Sequence, residues 1–270
     1  MHALVLAQSP TSMRTNTYLI RTSFLLAAAG ASIHAQGQTM TDLGTLLGGN
    51  YSFAYAVSAN GSVVVGHANI ASPQGRAFRW TSAEGMTDLG TLGGNYSSAY
   101  AVSADGAVVM GAAGNAANEN RAFRWTGGVM TDLGTLGGNH SYAQAVSADG
   151  SVVVGYATDN NFLNRAFRWT STDGMTDLGT LGGIFSSYGV AVSADGSVVV
   201  GYTTDSNFLP RAFLYSNRVM LDVQDWLGSV GGVHSTLSTG LELSRTFMEG
   251  PTTARWPNSA GASRTGRRAT

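Results

Sequence analysis

The chain has 270 residues, a formal net charge of −1 and only 11% charged residues, with no cysteine and no lysine, so all 15 basic residues are arginine. This excludes a disulfide framework, thiol chemistry, a phosphate-loop or Schiff-base lysine and a polyanion-attracting field, and with the last of these nucleic acid as a partner. A content of 36 glycines beside 5 prolines, with Val, Ser and Thr recurring throughout, suits an all-β protein with many tight turns.

The chain opens with Arg14 and Arg21, the apolar run from Phe24 to Ala31, and the small-residue stretch from Ser32 to Ala35. A positive segment, a short apolar segment and a small-residue end are the order of a secretory signal peptide, read here over residues 1–35 with cleavage after Ala35 or, alternatively, Ala31. The mature protein is therefore expected to be exported, to the extracellular space, cell surface or periplasm. The apolar run is too short to span a bilayer as an ordinary helix, so no transmembrane helix is expected in the mature chain.

Residues 36–225 read as one repeated β domain. Met-Thr-Asp-Leu-Gly begins at Met40, Met86, Met130 and Met175, and a degenerate Met-Leu-Asp-Val-Gln begins at Met220. Ala-Val-Ser-Ala-(Asp/Asn)-Gly starts at Ala56, Ala101, Ala145 and Ala191, and a Val-Val-(Val/Met)-Gly run follows at Val63, Val108, Val152 and Val198. Arg-Ala-Phe-Arg-Trp stands at Arg76, Arg121 and Arg165, with Arg211-Ala-Phe-Leu-Tyr215 as its fourth copy.

Each unit offers four short strands. Tyr100–Ser103 leads through an Asp105-Gly106 turn into Ala107–Met110, which predicts a hairpin. A polar loop precedes Arg121–Trp125, and a Gly127-Gly128 turn joins that strand to Val129–Leu133. The run Gly134–Asn139 reads as the turn between units. Four strands in about 45 residues predict a β-propeller blade, hence a propeller or propeller-like array of four four-stranded repeats. A parallel β-helix, whose coils are about half as long, is the second choice. Residues 226–250 read as a connecting segment. Residues 251–270, with four arginines and no acid, read as a disordered tail or the translation of a shifted frame.

Asp-Leu-Gly-Thr-Leu-Gly-Gly, Ala-Val-Ser-Ala-Asp-Gly, Val-Val-Val-Gly and Arg-Ala-Phe-Arg-Trp, in this order, resemble the HAF family of extracellular repeats. The resemblance covers residues 40–225. It departs at the position that names the family, where Arg76, Arg121, Arg165 and Arg211 replace a histidine. It implies export and repeat architecture without a defined activity. The passage from Val219 to Glu249 further resembles the segment after such repeats in autotransporter passengers. That resemblance implies a C-terminal outer-membrane barrel, which this 270-residue sequence lacks, so a truncated passenger is one expectation.

Several columns of repeated side chains are candidates for chemistry. Asp42, Asp88, Asp132 and Asp177 form the best-populated acidic one. A two-residue turn at Gly127-Gly128 places Phe123 opposite Asp132 and Trp125 opposite Met130, so Arg121 and Asp132 share a face as a structural ion pair. A metal-binding ring is the sharper alternative, but one acid per unit is a sparse set. Where the loop is one residue longer, as between Thr81 and Met86, a bulge is expected to keep this pairing.

Asn60, Asp105, Asp149 and Asp195 read as turn residues before glycine. Phe78, Phe123, Phe167 and Phe213, with Trp80, Trp125, Trp169 and Tyr215, read as aromatic stacks between units. Serines 58, 103, 147 and 193 recur without a partner histidine, so no hydrolase triad is expected. Weak calcium binding at the Asp159 and Asp205 loops is a lesser alternative. No cofactor motif is present.

What varies between units is the loop after Val-Val-Val-Gly. Phe162-Leu163 and Phe208-Leu209 put apolar pairs into these loops, which is unusual for polar surface turns. The functional reading is an exported binding or structural module, not an enzyme, contacting a protein or polysaccharide partner through Phe162, Leu163, Phe208 and Leu209. The alternatives are a secreted propeller enzyme acting on polysaccharide, using acids among Glu84, Glu119, Asp159, Asp173 and Asp205, and a truncated, non-functional product.

Overall fold

Valine-rich runs punctuated by Asp-Gly and Gly-Gly turns fold into short antiparallel strands, because β-branched residues fit a pleated sheet and glycine supplies the turns. The computed structural model describes residues 4–6, 40–71, 74–182, 185–204, 207 and 209–229. Apart from the strand β1 (Leu4–Leu6), the expected leader lies outside the described residues, as does the expected tail. β1 pairs antiparallel with β2 (Met40–Asp42).

Four antiparallel four-stranded sheets follow in chain order. Blade 1 holds β3 (Ser52–Val57), β4 (Val63–Asn69), β5 (Gly75–Thr81) and β6 (Gly85–Asp88). Blade 2 holds β7 (Gly93–Val102), β8 (Val108–Asn115), β9 (Asn120–Thr126) and β10 (Val129–Asp132). Blade 3 holds β11 (Gly137–Val146), β12 (Val152–Asp159), β13 (Asn164–Thr170) and β14 (Gly174–Asp177). Blade 4 holds β15 (Ser187–Val192), β16 (Val198–Thr204), β17 (Pro210–Ser216) and β18 (Val219–Asp222), and the helix α1 (Val223–Ser229) comes after it.

The molecule is thus a propeller-like array of four four-stranded blades. The first strands of successive blades neighbour one another along its inner side. Among the described residues, no packed interface joins blade 4 back to blade 1.

The Asp105-Gly106 turn joins β7 to β8 as a hairpin, with Val102 opposite Val109. Ser103 Oγ donates to Asp105 Oδ1 at 2.6 Å and accepts the Val108 N–H at 2.9 Å. The same bonds recur at Ser58, Ser147 and Ser193, so these serines are turn residues. Gly106 is required twice over. Its φ is +77°, and a Cβ there would lie 2.3 Å from Val63 of blade 1.

Registers between the third and fourth strands follow the turn chemistry. Phe123 pairs with Asp132 and Trp125 with Met130. Blade 1 keeps the same pairing, Phe78 with Asp88 and Trp80 with Met86, without the expected bulge. The extra residue is absorbed in the loop, where Gly85 takes a φ of +71° and the Glu84 N–H bonds Thr81 Oγ1. The Gly-Gly-Asn runs also differ from the expectation of simple turns, since Gly93 and Gly137 already begin β7 and β11.

The cores lie between blades. Phe123 packs with Val63, Val65, Ala77 and Leu89 of blade 1, Phe167 with Met110, Ala122 and Leu133 of blade 2, and Phe213 with Val154, Ala166 and Leu178 of blade 3. All four phenylalanines of the column, Phe78 included, are fully buried. Each is worth about 1.5–3 kcal/mol by burial alone. Where aromatic stacks between units are expected, each phenylalanine lies mainly among aliphatic side chains, with Trp80, Trp125, Trp169 or Tyr215 packed against the same cluster. The rings that meet across blades are tyrosines, with Tyr156 of blade 3 and Tyr188 of blade 4 at 5.0 Å between centroids. The ends of the array are closed by Leu43 and Leu46 over Phe78, and by Val223 and Leu227 over Ala212 and Leu214.

Candidate functional site

The loops between second and third strands emerge at one end of the blades, opposite the Asp-Gly hairpins and the third-to-fourth-strand turns. The blade 3 loop is a tight turn of defined geometry. The Asp159 N–H bonds Leu163 O at 2.9 Å and the Phe162 N–H bonds Asp159 O at 3.0 Å. Asp159 Oδ1 accepts the N–H groups of Asn161 and Leu163, at 2.8 and 3.0 Å. Asp159 Oδ2 accepts Arg165 Nε at 2.9 Å, and Arg165 also donates to Phe185 O at 3.1 Å. The loop is therefore tied at its base to the connector that enters blade 4. Burial works to raise the Asp159 carboxyl, but the Leu163 N–H, the Arg165 guanidinium and the Asn161 N–H outweigh it and hold the group below the usual carboxylate range.

This turn has a sister in blade 2. Asn115 takes the place of Asp159, bonding Glu119 and Asn118 with the same pattern. Asn118 then occupies the left-handed position at φ +57°, a conformation asparagine tolerates. In blade 3 the residue in that position is Phe162, at φ +60° and 74% exposed. A bulky residue held left-handed costs about 1–2 kcal/mol, and its ring recovers nothing by burial. Leu163 beside it is half-buried, and Leu209 of blade 4 is exposed. Phe208 lies outside the described residues.

The acidic column resolves differently from its expectation of one Arg–Asp pair per blade. Arg121 Nε meets Asp132 Oδ2 at 3.1 Å, and Arg211 pairs with Asp222. In blade 3, Arg165 turns instead to Asp159, because a carboxylate stands there where blade 2 has Asn115. In blade 1, Arg76 Nε is buried without a hydrogen-bond partner. What all copies share is a turn: Asp42, Asp88, Asp132 and Asp177 each accept the N–H of the glycine two residues on, and Asp222 accepts that of Gln224. The second arginine of the motif also has structural work, as Arg79 and Arg124 donate to Gly106 O and Gly150 O of the next blade.

The described candidate acids are divided between the two ends of the blades. Glu84 and Asp173 lie in third-to-fourth-strand turns, beside Arg79 and Thr170. Glu119 and Asp159 lie at the opposite end of the blades, and Asp205 is outside the described residues.

A further serine column, not among the candidates above, links each blade to the one before it. Ser97 Oγ donates to Gly90 O at 2.5 Å and accepts the Ala77 N–H at 2.9 Å, linking blade 2 to blade 1. Ser141 and Ser187 repeat both bonds one and two blades on, and Ser52 repeats the first with Gly44 O. The signal was present as a serine nine residues after Asp88 and Asp132 and ten after Asp42 and Asp177.

No family model and no curated protein matches the sequence. Among solved structures the fold is similar to TolB from Acinetobacter baumannii, at 16% identity and a TM-score of 0.48 over 69% of this chain and 46% of that one. It is similar to a protein assigned to TolB from Agrobacterium tumefaciens, at 16% identity and a TM-score of 0.47 over 68% of this chain and 65% of that one. It is also similar to the computationally designed protein Ika4, at 19% identity and a TM-score of 0.37 over 65% of this chain and 98% of that one. The chain spans about half to two thirds of the length of the two TolB structures.

Among the described residues, no helix is long and apolar enough to cross a membrane.

Proposed function

We propose that this protein is an exported, non-catalytic binding module that holds a protein or polysaccharide at the cell surface or in the medium through its second-to-third-strand loops. The observation that carries the reading is Phe162, an exposed aromatic ring on a left-handed residue of a turn whose sister uses asparagine. Such strain persists where the surrounding bonds over-determine it, and it concentrates at contact sites. Exposed aromatic anchors are the side chains that dominate binding energy once covered. Leu163, Phe208 and Leu209 extend the contact across blades 3 and 4, and the binding energy comes from area over a rigid scaffold. The resemblance of the repeat to extracellular repeats and to autotransporter passengers supports export, as does the order of residues 14–35.

The test has two parts. N-terminal sequencing of protein recovered from periplasm or medium is expected to begin at Gln36, and retention of Arg14 and Arg21 would refute export by this leader. Changing Phe162, Leu163, Phe208 and Leu209 together to serine is expected to leave the strand circular dichroism intact and abolish binding of the purified chain to envelopes of the producing cells. Undiminished binding would refute the loop contact.

A further inference from the structure

The repeat breaks once, at the end of blade 4, and the break builds a cavity. Four copies of the connector read Asp-Leu-Gly-Thr-Leu, ending at Leu46, Leu92, Leu136 and Leu181, whereas the fifth reads Asp222-Val-Gln-Asp-Trp226. The first four lead into a following blade. The fifth folds into α1, whose Val223 and Leu227 cover the outer face of blade 4. Between α1, β17, β18 and the connector that enters blade 4 lies an open cavity of about 640 Å³, lined by Leu181, Arg211, Met220, Asp222, Asp225 and Trp226 among others. That volume falls in the range of roughly 300–1,000 Å³ typical of small-ligand sites.

The lining selects a ligand chemistry. Asp222 is nine-tenths covered and has both oxygens engaged, one by Arg211 and one by the Gln224 N–H, so of this pair only the half-exposed Arg211 guanidinium is offered to a ligand, its charge already balanced. Asp225 is exposed and supplies the acceptor. An anion would meet the exposed Asp225 carboxylate, and a cation would meet the half-exposed guanidinium. A neutral molecule with several hydroxyls suffers neither repulsion, because each hydroxyl can both donate to a carboxylate and accept from arginine. The remaining wall, the Trp226 indole with Leu181 and Met220, suits a flat apolar face. A molecule apolar on one face and hydroxylated around its rim is a neutral pyranose. We infer that the cavity at α1 binds one residue of a neutral oligosaccharide, with Trp226 beneath the sugar ring and Asp225 and Arg211 at its hydroxyls, Asp222 holding Arg211 in place. This goes beyond the loop contact and does not depend on it.

The experiment titrates the full chain with cellotetraose, maltotetraose, mannotetraose and N-acetylchitotetraose, by calorimetry and tryptophan fluorescence. At least one is expected to bind saturably. Trp226→Ala should weaken that binding by more than about tenfold, and Asp225→Asn by about tenfold. Phe162→Asn should leave it unchanged, which separates this site from the loop contact. Asp225 is exposed, so its variant is informative even if Trp226→Ala unfolds. Failure of all four oligosaccharides to bind would overturn the inference. So would binding that Asp225→Asn leaves intact.

Discussion

Ser141 of blade 3 accepts the backbone N–H of Ala122 of blade 2 at 2.8 Å, and the same hydroxyl donates to Gly134 O at 2.6 Å. One buried hydroxyl thus satisfies two backbone groups that the sheet ladders leave over, and it does so across the joint between blades. Ser141→Ala keeps the volume nearly constant but strands the Ala122 N–H. We expect a loss of about 1–3 kcal/mol in denaturant unfolding. A loss within error of zero would show that the joint rests on Phe167 and its aliphatic neighbours alone.

Ion pairing should be coupled where the carboxylates meet the arginines and nowhere else in the column. Double-mutant cycles are expected to give coupling of about 0.5–1 kcal/mol for Arg121 with Asp132, and somewhat more for the less exposed Arg165 with Asp159. Arg165 with Asp177 should be additive, since Arg165 is turned to Asp159 and to Phe185 O. Coupling there, with none at Asp159, would contradict the geometry.

The hairpin turns predict an acid dependence. Hydrogen bonds from the Ser147 hydroxyl first, then the N–H and hydroxyl of Ser151, hold the Asp149 carboxyl down at about 2, and Ser193 and Ser197 hold Asp195 at about 2 in the same way. A depressed folded-state value means stability that is complete above the unfolded value, about 3.9, and is lost as pH falls through about 2. Blade 1 makes the same turn with the uncharged Asn60. The Asp149→Asn, Asp195→Asn variant should therefore fold, with a flatter stability profile between pH 4 and 2. An unchanged profile in urea titrations at those pH values would contradict this.

The sequence made the repeat, the hairpins and the Phe123–Asp132 register legible because each depends on neighbours in the chain: a turn of known length fixes which residues face each other. The Arg–Asp column was legible only in part. Its outcome in blade 3 turns on Asp159, the last residue of β12, whose approach to Arg165 follows from the turn between β12 and β13 and not from spacing along one strand. The serine clips were missed for a similar reason, since their partners Ala77, Ala122 and Ala166 belong to the preceding blade. Phe162 was legible as an unusual loop residue, but its left-handed backbone emerged only beside Asn118 of the sister turn.

On the proposed function, Phe162 is kept in a costly left-handed conformation for contact. Replacing it with asparagine, the residue at the equivalent position in blade 2, separates stability from binding in one variant. Phe162→Asn should raise stability by about 1 kcal/mol, because the left-handed strain is relieved while the turn's bonds to Asp159 remain. The decisive measurement is the affinity of this variant for envelopes of the producing cells, beside that of the unaltered chain. The account predicts a more stable protein whose binding falls by at least about tenfold, as expected for a buried aromatic anchor. Binding equal to that of the unaltered chain would contradict it.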